Sequence, residues 1–353
     1  MITIQAAGRV CLFGDHQDYL GLPIIACAID KHITLHAVEN NKDHFNIDFQ
    51  DLNETRHISL PINFDTYDPK DTFMAVLKVL QKYGCFANKG YDLTITGTIP
   101  INAGLSSSSA LVLVWVGFLI KAFGASTPIN QEKIAKVAYE AEVLERHGPG
   151  GNMDQYSIAL GNILYLETGT NTKYKSFKKN LPGLVIGESG IPKDTLGLLA
   201  DRRRLAMDAL EFLQNAVVDF RIDKITLADM DAHLALLPHT LKPYFNAAVQ
   251  NHLITQKALL EFERNTPNVK AIGTLMSAHH NILKNDLQIT VPRIDDMIDA
   301  ALKAGAYGAK IVGSGGGGCI VALAAKEKEI ISALKSAGAV NAYATSVGKG
   351  IQL

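Results

Sequence analysis

The stretch that most limits what this chain can become is Ile99–Ala125, IPINAGLSSSSALVLVWVGFLIKAFGA. Its first part is a turn of small residues, and the rest is a long apolar run. Gly104 can take a positive φ and lets backbone approach a ligand closely. Ser106, Ser107, Ser108 and Ser109 add hydroxyls and a row of backbone N–H groups. The first turn of a helix carries orphan donors and the positive end of the dipole, so an anion is well placed there. Hydroxyls in such a turn also reach a hard cation carried by a phosphate. The same serines read as an N-cap on a core helix, a common use of Ser, and the local sequence leaves both readings open. The run Ala110–Phe123 is shorter than the roughly 20 residues that cross a bilayer, so it predicts a helix buried in a globular core.

A chain of 353 residues accommodates two domains, on a prior of roughly 100–200 residues each. With 47% hydrophobic and 20% charged residues the composition is that of a soluble globular protein. The net charge of −1, with both signs interspersed, favours neither nucleic acid nor an anionic membrane as partner. The start MITIQAAGRV lacks a charged segment followed by an apolar one, which predicts a cytoplasmic rather than a secreted protein. Cys11, Cys27, Cys85 and Cys319 are widely spaced in apolar surroundings and read as buried reduced thiols rather than a metal site.

In chain order, Ile2–Phe13 predicts a strand interrupted at Ala6-Ala7-Gly8. Asp15, His16, Asp18 and Tyr19 then crowd a turn between Gly14 and Gly21; a metal half-site is disfavoured because no second ligand cluster lies near. Strands follow over 23–29 and 33–38, and 40–69 reads as edge strands and turns. Phe73, Val76, Leu77 and Leu80 share a helical face over 72–83, closed by Gly84. The alternating YDLTITGT (91–98) predicts a strand running straight into the serine turn. Thr127-Pro128 opens a helix with the stripe Ile134, Val137, Ala138, Ala141 and Leu144. Glu142 sits at the border of that stripe, as a solvated flank or a carboxylate in a cleft. The segment His147-Gly148-Pro149-Gly150-Gly151 stops this helix. Asp154 comes after it, in a tight turn or on a site floor. Residues 165–180 are polar and without period, and a domain boundary is placed near 170–195. A helix beginning at the triplet Arg202-Arg203-Arg204, a solvated face, leads into amphipathic helices to Asn285, broken at Pro238 and Pro267. After a helix over Ile294–Ala301, GAKIVGSGGGGCIVALA predicts two strands around the loop 313–318. Consecutive glycines cost backbone entropy and imply close approach by a ligand or another loop.

The order of these features resembles that of the GHMP kinases, the superfamily of galactokinase, homoserine kinase, mevalonate kinase and phosphomevalonate kinase. GRVCLFGDHQDYLG and GGNMDQYSIALG look galactokinase-like, whereas GAKIVGSGGGGC reads closer to the mevalonate kinase version. The resemblance implies an α+β, two-domain fold: an N-terminal domain like ribosomal protein S5 domain 2 (1–180) and a ferredoxin-like C-terminal domain (181–353). It also implies ATP and Mg²⁺ as cofactors, with Gly104, Leu105, Ser106, Ser107, Ser108 and Ser109 around the phosphates and Ser108 and Glu142 on the metal. Asp154 would face the reacting hydroxyl with Arg9 beside it. Asp15, His16, Asp18 and Gly151 would hold the sugar, and Gly315, Gly316 and Gly317 would close over the phosphates. The implied activity is ATP-dependent phosphorylation of the anomeric hydroxyl of galactose or a galactose-like monosaccharide. The alternatives are a mevalonate-type kinase of a non-sugar alcohol and a sugar- and ATP-binding sensor. The expected partners are the sugar and ATP, with no nucleic acid or membrane; the oligomeric state is open, a monomer included. Four positions depart from the galactokinase pattern: Asp15 replaces Glu, Leu20 replaces Asn, Asn102 replaces Gly, and Leu199 stands where a sugar-contacting Tyr is usual.

Overall fold

The computed structural model describes residues 1–353 except Thr66, Pro69, Pro149, Thr170, Asn171 and residues 194–196. β1 (Ile2–Phe13) is continuous and antiparallel to β2 (Ile24–Glu39). The small residues expected to interrupt β1 carry instead a register shift between Ala7 and Gly8, a bulge that bends the strand without ending it. The two strands expected over 23–38 are likewise one. β1 pairs on both sides of Asp30 and Lys31, which bulge at the register shift between Ala7 and Gly8, so the ladder continues past them. β3 (His44–Phe49) and β4 (Glu54–Ser59) form a hairpin, followed by α1 (Thr72–Gln81), whose cap Asp71 accepts from the Phe73 and Met74 N–H groups. β5 (Tyr91–Gly97) enters the serine turn, and α2 (Ser107–Phe123) leaves it.

Helix α3 (Gln131–Tyr139) starts later than Thr127-Pro128 because the Asn130 side chain takes the Lys133 N–H and so caps it. It continues as a π turn over Glu140–Leu144. The wider turn changes the helical phase, so Leu144, expected in the apolar stripe, is 52% exposed. Then come α4 (Met153–Leu160), β6 (Ile163–Glu167) and β7 (Lys173–Phe177). β7 corrects the reading of 165–180 as irregular: it is an edge strand whose solvent-facing Lys173 and Lys175 hide its alternation and guard the edge. The strand order is β4-β3-β5-β2-β6-β7, with β1 also pairing with β2.

A second sheet is built from β8 (Leu184–Glu188), β9 (Gly308–Val312), β10 (Cys319–Leu323) and β11 (Asn341–Thr345), all antiparallel, in the order β11-β8-β10-β9. That is fourth-first-third-second, the ferredoxin-like arrangement, and the whole is a two-domain α+β fold. Between β8 and β9 lie α5 (Leu198–Ala216), α6 (Leu227–Leu236), α7 (Lys242–Glu263), α8 (Val269–Asn285) and α9 (Pro292–Lys303); α10 (Glu327–Ser336) joins β10 to β11. In the triplet before α5's apolar face, Arg202 is not solvated: its Nε donates to Leu287 O at 2.6 Å. The chain does not sort strictly at residue 180, because Val347, Lys349 and Gln352 return to bridge Ile29, Gly161 and Gln5.

The two units share a core in which Trp115 and Phe118 of α2 pack on Phe45 of β3. The four cysteines are free and buried. Among the described residues no helix is long and apolar enough to cross a membrane. Helix α8 meets β9 backbone to backbone at Gly273 and Gly308, where a Cβ on either would overlap the other strand of chain. Gly308→Ala should therefore lower stability by roughly 2–3 kcal/mol in urea unfolding, as overpacking does. Gly169→Ala, whose Cβ would meet open space, should stay within about 0.5 kcal/mol of the parent.

Candidate active site

The serine turn reaches α2 through left-handed backbone at Asn102 (φ 56°), Gly104 (φ 89°) and Ser106 (φ 58°). Asn is among the few side chains that tolerate this region, which accounts for its standing in place of Gly. A Cβ on Gly104 would lie 2.7 Å from Val312 O, so the turn abuts the end of β9. The loop that follows β9 takes positive φ at Gly313, Gly315, Gly316, Gly317 and Gly318. Gly315 and Gly316 pack on Ile289, and Gly317 packs on the carbonyls of Ile191 and Pro192. Of this loop, Gly313 and Ser314 line the central cavity and Gly315–Gly317 do not.

Arg9, on β1, is 4% exposed; its Nε and Nη2 each lie 2.7 Å from Asp154 Oδ1, and its Nη1 donates to Gly104 O at 2.5 Å. The second Asp154 oxygen accepts from Ser106 Oγ at 2.6 Å. Burial pushes the Asp154 pKa up, but the charge and hydrogen bonds of Arg9, with Ser106, outweigh it and hold the carboxyl below its ordinary value. Asp154 sits in the first turn of α4, where the helix dipole also favours the anion.

The π turn swings Glu142 into the same cavity. Ser109 Oγ donates to its Oε1 at 3.0 Å and Gln155 Nε2 to its Oε2 at 2.6 Å. Burial, and after it the nearby charge of Asp154, raise its pKa despite these hydrogen bonds. Of the serine turn, Gly104, Ser108 and Ser109 line the cavity. Leu105 is a core residue whose carbonyl accepts from Arg9 N, Ser106 serves Asp154, and Ser107 opens α2 without lining the cavity.

The turn after β1 is brought to the cavity, but its groups differ in availability. Asp15 is 1% exposed; Lys310 Nζ donates to its Oδ2 at 2.6 Å and Gly313 N to its Oδ1 at 3.2 Å. His16, at φ 63°, places Nε2 3.1 Å from Ser314 O and Nδ1 3.0 Å from Tyr19 OH. A carbonyl only accepts, so Nε2 carries the proton and Nδ1 accepts from the phenol. Burial lowers the His16 pKa to about 4, which keeps the ring neutral. These polar atoms of Asp15 and His16 have partners within the protein, and both residues line the cavity. Asp18 remains open. Burial, reinforced by the charge of Asp154, raises its pKa from an ordinary 3.8 to about 6. Gly151 makes its position attainable, since a Cβ there would stand 2.5 Å from Asp18 Oδ2. Pro149, in the same segment, lies outside the described residues.

Lys193, Lys70 and Arg146 also face the cavity and escaped the sequence reading, because single cations in polar segments form no pattern. Burial lowers the Lys193 pKa even though Asp154 pulls it the other way. The central cavity measures about 440 Å³. A second cavity of about 300 Å³, walled by Phe73, Leu111 and Trp115, adjoins it; Lys70, Ser108, Glu142 and Arg146 line both.

Residues 71–162 match the GHMP kinases N terminal domain, residues 256–340 the GHMP kinases C terminal region, and residues 2–38 the galactokinase galactose-binding signature. The chain belongs to the GHMP kinases, a family of phosphotransferases. Galactokinase of Haemophilus influenzae is 30% identical to it over 338 residues, which cover 93% of this chain and 86% of that one. Mevalonate kinase of Thermococcus sibiricus is 27% identical over 351 residues, covering 96% and 93%. Lactococcus lactis galactokinase, solved as a complex with galactose, shares the fold at a TM-score of 0.86 and 23% identity, over 99% of this chain and 94% of that one.

The raised pKa of Asp18 has two measurable signs. Its ionised form accepts hydrogen bonds, so kcat/KM for the acceptor should fall as pH drops through about 6, and Asp18→Asn should lower the plateau and remove this limb. Protonation favours the folded state here, so the carboxylate costs stability above about pH 6 and not below the unfolded-state pKa of roughly 3.9. Asp18→Asn should raise Tm at pH 8 and leave it nearly unchanged at pH 4.

Proposed function

We propose that this protein is an ATP-dependent sugar kinase that phosphorylates the anomeric hydroxyl of galactose or a galactose-configured aldose. The observation that carries the reading is the junction of the two cavities. The smaller one offers aromatic and aliphatic walls for a nucleobase, and cations and Ser108 line the shared wall where a polyphosphate would lie. Asp154 and Asp18 face the larger one, where the acceptor would sit. The galactose-binding signature over residues 2–38 and the galactokinase relatives favour a sugar as that acceptor. GHMP kinases take the phosphoryl group from ATP.

Phosphoryl transfer asks mainly for alignment and charge neutralisation. Asp154, held ionised by Arg9, accepts a hydrogen bond from the acceptor hydroxyl and so points its oxygen at the terminal phosphorus. Its pKa lies below the ordinary carboxylate value, far below that of any sugar hydroxyl. The proton therefore moves to it late, as the new O–P bond forms and the bond to the leaving ADP breaks. Arg9 and Lys193 stand where negative charge grows.

Ser108 and Glu142 present the oxygen donors that a hard cation prefers. The buried Gln155 Oε1, in the amide bonded to Glu142, has no hydrogen-bond partner among the described residues. These residues fit Mg²⁺, which when bound with the nucleotide supplies charge neutralisation on the phosphate oxygens.

An ADP-release assay with galactose, glucose, mevalonate and homoserine tests the reading: galactose should give the highest kcat/KM, and mevalonate turning over best would overturn it. Asp154→Asn should lower kcat on the order of a hundredfold or more, as loss of an acid–base group does, with nucleotide affinity retained. Glu142→Gln should shift the dependence of activity on free Mg²⁺ to higher concentration; an unmoved titration curve would leave Glu142 without a role at the metal.

A further inference from the structure

Successive residues of a helix point about 100° apart, so the first turn of α4 serves two directions. Asp154 turns toward Arg9 and Ser106, and Gln155 turns toward Glu142. Gln155 lines the central cavity and is 2% exposed. Its Nε2 donates to Glu142 Oε2 at 2.6 Å, while Ser109 Oγ donates to Glu142 Oε1 at 3.0 Å. An ionised carboxylate only accepts, so this bond fixes which end of the amide is the nitrogen. Gln155 Oε1 is thereby an acceptor held in place, and among the described residues it has no hydrogen-bond partner. A buried acceptor left unpaired costs free energy, and native proteins keep few of them.

What fits beside this oxygen is a donor that arrives with a ligand. The polyphosphate of a nucleotide brings acceptors only. Its divalent cation brings donors, because Mg²⁺ gives up water reluctantly and usually keeps several molecules. The hydrogens of those waters point outward and, inside a cavity, need acceptors. Glu142 and Ser108 stand on the same wall and offer the oxygens that such a cation prefers. We propose that Gln155 is a positioning residue for the cation of the nucleotide: its Nε2 holds Glu142, and its Oε1 accepts from the water shell of the cation. The inference rests on the ATP-dependent kinase reading above and is independent of which sugar is the acceptor.

The test is titration calorimetry of the enzyme, without sugar, with a nonhydrolysable ATP analogue as its Mg²⁺ complex and again in EDTA. Gln155→Met matches the side chain in length and removes both polar atoms. It should weaken the Mg²⁺ complex about ten- to a hundredfold, the usual loss when the group behind a metal ligand is removed, and change the metal-free affinity by less than about twofold. Gln155→Glu keeps an oxygen acceptor at the same reach and should bind the Mg²⁺ complex within about fivefold of the native enzyme. Native affinity for the Mg²⁺ complex in folded Gln155→Met would overturn the inference. An equal loss for both forms of the analogue would also overturn it, as the mark of a damaged nucleotide pocket. A loss in Gln155→Glu as large as in Gln155→Met would leave Oε1 without a part. If Gln155→Met does not fold, Gln155→Glu decides: a loss on the order of a hundredfold there sinks the proposal. A native enzyme that binds the analogue no better with Mg²⁺ than without it would remove the cation from this wall and the inference with it. A native enzyme that binds neither form would overturn the kinase reading instead.

Discussion

The Arg9–Asp154 ion pair is the interaction on which the rest of the site depends. One guanidinium, 4% exposed, is bonded to the α4 carboxylate and to the carbonyl of Gly104, while the backbone N–H of the same residue is bonded to Leu105 O. Strand, serine turn and helix are thereby held at one point. Burial alone would pull the Arg9 pKa down, yet Asp154 raises it, so each charge is kept by the other. A buried charge that loses its partner typically costs several kcal/mol. The geometry that serves catalysis is therefore the geometry that the fold already requires.

Around this pair the backbone is held away from its comfortable regions. His16, Asn102, Ser106 and His147 all have positive φ, and the helix carrying Glu142 widens into a π turn. Such conformations persist only where the surroundings over-determine them. Here they do: Ser106 is tied to Asp154, Asn102 precedes a glycine packed on Val312 O, and His16 bridges Tyr19 to Ser314. The contacts come from both sheets. Lys310 reaches from β9 to Asp15 and to the Cys11 carbonyl of β1, and Gly313 meets Gly104. Residues of both units line the cavity.

Much of this was legible beforehand. Regular apolar periods located α1 and α9 to within a few residues, because a single amphipathic face dictates each. The serine turn and the glycine loop were visible since both need unusual backbone, and backbone freedom is written in residue type. The GHMP motifs and their order supplied Arg9, Glu142 and Asp154 as a set. Elements whose polar residues face solvent at an edge, such as β7, carried no pattern to read. Lys193, Lys70, Arg146 and Lys310 were missed for a related reason: a lone cation signals nothing until its neighbours are known.

By itself, then, the sequence determined the kind of protein, the order of its elements and the residue types that make phosphoryl transfer feasible. Those follow from local propensity and motif spacing. Only the tertiary structure decided which polar groups are free to act. Asp15 and Asp18 stand three positions apart in one turn and look equivalent in sequence. One is bonded to a lysine 295 residues away along the chain, and the other takes only backbone donors and stands above Gly151 with its pKa raised to about 6. Availability of a carboxylate depends on what lies within a few ångströms of it, and distant strands bring those neighbours.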